Sequence, residues 1–147
     1  SKVDILRKDL LRSCYSPKVK NIFSEIFIKS INSLAFNLIA LKYEQNNYNL
    51  KKNIMTKKEI LQILNEGDNI LKKNNLKLYQ SPLSRINQTL KSTTHTMSML
   101  NAYNNKKEIE IRELWKSFEV ILKTINMKMN HTKKNFKIVR KKIYGDI

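Results

Sequence analysis

A chain of 147 residues with 29 Lys+Arg against 12 Asp+Glu carries a formal charge of +17, a self-repulsion that a polyanionic partner relieves. Its length suits one domain, and its 41% apolar content excludes a disordered tail. Two glycines and two prolines exclude the many tight turns of an all-β fold, and a lone cysteine, Cys14, excludes an intramolecular disulfide and suits a reducing compartment.

In chain order, Ser1-x-x-Asp4 caps a short first helix bearing Val3, Leu6, Leu10 and Leu11. Ser16-Pro17 is a stronger start signal, with Ser at the cap and Pro at the first helical position. The helix behind it runs to about Glu44. Its first half has a polar face of Asn21, Glu25, Lys29 and Asn32, whereas Leu34–Leu41 is apolar nearly all round, the pattern of a central buried helix. A membrane span over 22–41 is disfavoured, because Glu25, Lys29, Asn32 and Asn37 lie inside it and a central ion costs about 2.5–3.5 kcal/mol in a bilayer.

Residues 45–55 read as a loop. Thr56-x-x-Glu59 forms a capping box for a helix with Ile60, Leu61, Ile63 and Leu64, and Gly67 is its expected C-cap. A short helical piece from Asp68 to Lys73 ends at a joint, Asn74-Asn75. Ser81-Pro82 opens the next helix, whose seam is Leu83, Ile86, Leu90, Thr93, Met97 and Leu100. The clearest helix spans about Glu108 to Asn130, with Ile111, Leu114, Trp115, Phe118, Ile121, Leu122, Ile125 and Met129 on one face; Trp115 is a core residue. The last helix, within 131–145, starts near Thr132 and ends at Gly145. The whole reads as an all-α, single-domain bundle of about six or seven helices with a basic C-terminal helix. No internal repeat or long linker divides it.

The charge is unevenly placed. Lys, Asn and Ile are abundant, as an AT-rich genome would make them, yet such bias would not deplete Asp and Glu. From Asn69 to Lys107 there are seven basic residues and no acid; from Lys123 onward there are eight, with Asp146 the only acid. At about 100° per residue, Lys133, Lys134, Lys137, Arg140 and Lys141 share an arc of about 120° on the last helix, with Lys142 to its side and Phe136, Val139 and Ile143 roughly opposite. That arc suits phosphate neutralisation, and Tyr144 is placed to add a hydrogen bond. The first block contributes Lys72, Lys73, Lys77, Arg85 and Lys91 as further candidate nucleic-acid contacts, among the short polar side chains Ser84, Asn87, Thr89, Ser92, Thr94, His95 and Thr96. Those polar residues suit a sugar–phosphate surface and a protein–protein seam equally well.

Other chemistry is poorly represented. Two glycines cannot build a phosphate-cradling loop. One Cys with the distant His95 and His131 is not a metal ligand set, and no acids pair for acid–base work. No catalytic residue, metal or cofactor is therefore expected. Tyr43, Tyr48, Tyr79 and Tyr103 are isolated near helix ends, and no sequence-specific DNA-binding motif is present.

Over about thirty of the 147 residues, Asn126-Met127-Lys128-Met129 followed by Val139-Arg140-Lys141-Lys142-Ile143 is similar to the two-helix hairpin protein of the large ribosomal subunit. That resemblance implies a ribosomal setting. The expectation from the sequence is a non-enzymatic RNA-binding component of a ribonucleoprotein, an organellar and specifically mitochondrial ribosome being favoured over the cytoplasm. Its partners would be rRNA and neighbouring proteins, with no small-molecule substrate. The rival is a helical subunit or adaptor of a protein or membrane-associated complex, with no nucleic acid.

Overall fold

The computed structural model describes residues 4–5, 21–76 and 78–145. Among these residues there are seven helices and no strand: α1 (Ile22–Tyr43), α2 (Asn47–Lys52), α3 (Ile54–Lys73), α4 (Pro82–Thr89), α5 (Ser98–Asn104), α6 (Ile111–Thr124) and α7 (Asn130–Tyr144). The all-α bundle expected from the sequence is the architecture observed. Asp4 and Ile5 are helical; the expected starts at Ser1 and Ser16-Pro17, Cys14 and the candidate contact Lys77 lie outside the described residues.

The apolar run of α1 forms the axis. Leu34, Ala35, Leu38, Ile39 and Ala40 are fully buried, and α3, α5, α6 and α7 pack around this helix. On length and composition α1 could cross a membrane, yet its apolar half is enclosed by the other helices. The polar residue inside that run has a local reason. Asn37 is buried, and its Oδ1 accepts from the Met99 N–H at 3.0 Å, which caps α5, a helix with no side-chain cap of its own.

Asparagine, rather than glycine or serine, punctuates this chain. Asn21, Asn46 and Asn53 cap α1, α2 and α3 through their side-chain oxygens. The segment 45–55 is therefore not a loop: α2 occupies 47–52, and α3 starts at Ile54, before the expected capping box. Thr56 instead donates from its hydroxyl to the carbonyls of Leu50 and Asn53 at 3.1 and 2.9 Å, and Glu59 turns toward α1. Ser81-Pro82 starts α4 as expected, with Ser81 Oγ accepting from Ser84 N at 3.2 Å.

Gly67 does not end a helix. It lies inside α3, where a Cβ would fall 2.5 Å from Ile31 Cγ1; glycine is needed for close approach of α1 and α3, not for a turn. The expected seam from Leu83 to Leu100 is two helices. Between them, Asn47 Nδ2 donates to the carbonyls of Thr89 and Ser92, both at 3.0 Å, and Asn47 N donates to His95 O at 3.1 Å. A Ser/Thr-rich stretch readily accepts such an alternative to helical pairing. Leu83 is consequently exposed, while Ile86, Leu90, Met97 and Leu100 are buried.

Four helices end through left-handed residues that are not glycine: Glu44, Asn75, Lys106 and Asn126 have φ between 50° and 56°. Each is followed by a closing bond of the Schellman type, Gln45 N to Ala40 O, Leu76 N to Leu71 O, Lys107 N to Ala102 O and Met127 N to Leu122 O. A side chain in this conformation costs on the order of 1 kcal/mol relative to glycine. Lys106→Gly is accordingly expected to stabilise the fold by about 0.5–1 kcal/mol, readable as a rise of about 2–4 °C in melting temperature. A fall in melting temperature would contradict this reading of the turn.

Candidate nucleic-acid interface

α7 contains neither glycine nor proline before its C-cap at Gly145, whose φ is 76°. Thr132, Asn135, Phe136 and Val139 are buried, and Ile143 packs at the core edge. Phe136 stacks on Trp115 of α6 with centroids 5.3 Å apart, so the tryptophan lies in the core as its stripe implied. Burial of this face fixes the outward direction of the other. Lys133, Lys134, Lys137, Arg140 and Lys141 are all exposed, on the single arc expected from their spacing.

Polar contacts orient the helix. Its N-cap residue, Met129, supplies no side-chain cap. Glu66 of α3 does so from across the bundle: one carboxylate oxygen accepts from His131 N at 2.8 Å, and the other from Thr132 N at 2.9 Å and Thr132 Oγ at 2.6 Å. A negative charge is thereby held at the positive end of the α7 dipole. At mid-helix, Lys42 Nζ donates to Asn135 Oδ1 at 2.7 Å and to both oxygens of Glu59 at 2.8 and 2.7 Å. The Tyr43 hydroxyl also donates to Glu59, at 3.1 Å.

Glu66→Ala is expected to destabilise the fold by about 2–3 kcal/mol, since it removes three charge-assisted bonds at a helix end. It should speed amide exchange in the first turn of α7 while leaving every cation in place. Unchanged exchange at His131 and Thr132 would contradict the capping role.

Two of the candidate contacts have other duties. Lys142 donates to the carbonyls of Leu41 and Lys42 at 3.2 and 3.3 Å and pairs with Glu44. It satisfies the C-terminus of α1 and neutralises that end of its dipole. Arg85 is buried, its side chain 1% exposed. Its guanidinium pairs with Asp68 of α3 and donates to Asn32 Oδ1 of α1 at 3.1 Å. Arg85 is thus a structural ion-pair member rather than a surface contact: its guanidinium reaches groups of both α1 and α3. Burial pushes the Asp68 carboxyl above its usual range, against the opposing pull of Arg85. Tyr144, too, is engaged. Its hydroxyl donates to Ile109 O at 3.1 Å, Arg112 lies 4.3 Å from its ring centroid, and burial raises its pKa.

Lys72 and Lys73 are exposed in the last turn of α3. They line a cleft of about 700 Å³ shared with Glu66, Asn69, Asn126, Met127 and Lys128. Lys128 and Lys133 also line an adjoining hollow of about 280 Å³ with Lys123 and Asn130. The fold therefore carries cations from both sequence blocks to the N-terminal end of α7. Lys128 escaped the helical-wheel reading because it sits in the α6–α7 turn, where no periodicity applies. Lys91 is exposed in the turn after α4 and lines neither cleft.

His95 is exposed, and His131 lies in the first turn of α7 with Nε2 3.1 Å from Asn135 Nδ2. Among the described residues, no group of three or more His, Cys, Asp or Glu could hold a metal ion. No protein-family model, characterised protein or solved structure matches the chain, so the geometry of this basic surface carries the functional reading.

Proposed function

We propose that the protein is a non-enzymatic structural component of a ribonucleoprotein that neutralises RNA backbone phosphates, an organellar ribosome being the specific setting. One observation carries the reading: α7 presents Lys133, Lys134, Lys137, Arg140 and Lys141 outward while its opposite face is locked into the core, and Lys72, Lys73 and Lys128 line the cleft at its N-terminal end. Such a surface binds a sugar–phosphate backbone through counterion release, without reading bases.

The apolar side chains Ile22, Phe23 and Ile26 are exposed on α1, as is Ile121 on α6. Phe27 of α1 meets Phe118 of α6 with ring centroids 5.7 Å apart, which brings these elements together. An apolar patch of this kind suits a protein neighbour within a large assembly. It equally supports the second reading, a helical adaptor in a complex without nucleic acid. Co-sedimentation separates the two. A ribonucleoprotein component should travel with ribosomal particles at moderate salt and leave them after nuclease treatment. An adaptor should sediment identically before and after nuclease.

A further inference from the structure

We propose that the cleft between the last turn of α3 and the α6–α7 turn is a seat for a single backbone phosphate with its sugar, fixing where the RNA strand starts its path along α7. This inference rests on the RNA-binding reading and adds a defined point of contact to it. Three ammonium groups, Lys72, Lys73 and Lys128, line the cleft against one carboxylate, Glu66. Both oxygens of that carboxylate already accept bonds from the start of α7, so the positive end of that helix offsets its charge at the cleft wall.

The C-terminus of α3 would ordinarily repel an anion. Here three of its last four carbonyls are covered: Asn74 N donates to Ile70 O at 3.2 Å, Asn74 Nδ2 to the same oxygen at 2.8 Å, Leu76 N to Leu71 O at 2.9 Å, and Asn75 N to Lys72 O at 3.1 Å. Asn69 and Asn126 bring two side-chain amides, donors suited to phosphate or ribose oxygens. Asn126 is held in the left-handed conformation by the turn that closes α6. Among the described residues, the lining contains no aromatic ring to stack a base. The chemistry is that of a phosphate and sugar site indifferent to sequence.

The test uses the full chain with tripolyphosphate and with poly(U) RNA as probes. In ¹H–¹⁵N spectra, tripolyphosphate should shift the amides of Asn69, Lys73, Asn126 and Lys128 saturably. Lys72→Gln/Lys73→Gln/Lys128→Gln should abolish that saturation and flatten the log-affinity against log-salt slope for poly(U) by about 0.7, the share of the one phosphate seated in the cleft. A control with the same charge loss on exposed residues elsewhere, Lys51→Gln/Lys58→Gln/Lys106→Gln, should change that slope by less than half as much.

Tripolyphosphate shifts spread along α7 without saturation at the cleft would overturn the proposal. So would a cleft variant whose poly(U) slope equals the wild-type value or that of the control. Saturable tripolyphosphate binding with no poly(U) binding by the wild type would uphold the phosphate seat and overturn the RNA reading.

Discussion

Arg85→Met is expected to destabilise the fold by about 3–5 kcal/mol, a large share of the 5–15 kcal/mol typical of a domain. The reason is the carboxylate it abandons. Asp68 is 2% exposed, and its partner Arg85 lies among α1, α3 and α4, with Asn32 taking a second guanidinium hydrogen. Without Arg85, Asp68 must either stay charged in a dry site or take up a proton. The loss is therefore pH-dependent. A carboxyl whose folded pKa exceeds its unfolded value binds more protons in the native state, so its contribution falls as pH rises through the folded pKa. The deficit of Arg85→Met should accordingly shrink on moving from neutral to acid pH.

Asp68→Leu/Arg85→Met should recover most of the stability, because the intact pair gains little over apolar residues of similar volume. Urea unfolding of wild type, single and double variants measures all three. A single variant within 1 kcal/mol of wild type, or a double variant worse than the single, would contradict the buried-pair account.

This pair also marks where sequence reading failed, and why. Composition and spacing revealed what depends on neighbours along one helix. The all-α class, the Ser81 cap, the burial of Trp115 and the docking of α7 through Phe136 and Val139 follow from local chemistry and the 3.6-residue period. Arg85 could not be placed this way. It sits among polar residues on a helix whose charge reads as surface, and its partner is 17 positions distant. Gly67 failed similarly: a glycine near a helix end ordinarily stops it, and only the closeness of Ile31 shows that this one admits a neighbouring helix.

Segment 45–55 failed for another reason. Asparagine is at home in loops, at N-caps and in the left-handed conformation alike. Asn46, Asn53, Asn75 and Asn126 serve as caps or left-handed residues. In a chain with two glycines, helix punctuation falls to residues whose signal is ambiguous.

The candidate site was half legible. The arc on α7 followed from spacing, and its five exposed cations are where the wheel placed them. Its continuation was hidden, since Lys72, Lys73 and Lys128 share a cleft only because α3 ends beside the α6–α7 turn. The support of α7 by Glu66 was hidden as well. A capping carboxylate 65 positions earlier in the chain leaves no local trace.

The five cations of α7 have the second large expected effect, and they test the central claim. Lys133→Gln, Lys134→Gln, Lys137→Gln, Arg140→Gln and Lys141→Gln together remove positive charge from one arc, and all five positions are exposed. The fold should hold, because the five positions are exposed and none belongs to the buried core. RNA affinity should behave oppositely. Each phosphate contact contributes roughly 0.7 to the salt slope on a single strand and 0.9 on a duplex, so five lost contacts should flatten it by about 3.5–4.5.

The deciding measurement is RNA affinity of wild type and this five-fold variant across a salt series. A steep wild-type dependence that flattens by that amount, in a variant that remains folded, is the result expected of a basic helix bound to phosphate. Equal slopes for the two proteins would contradict it.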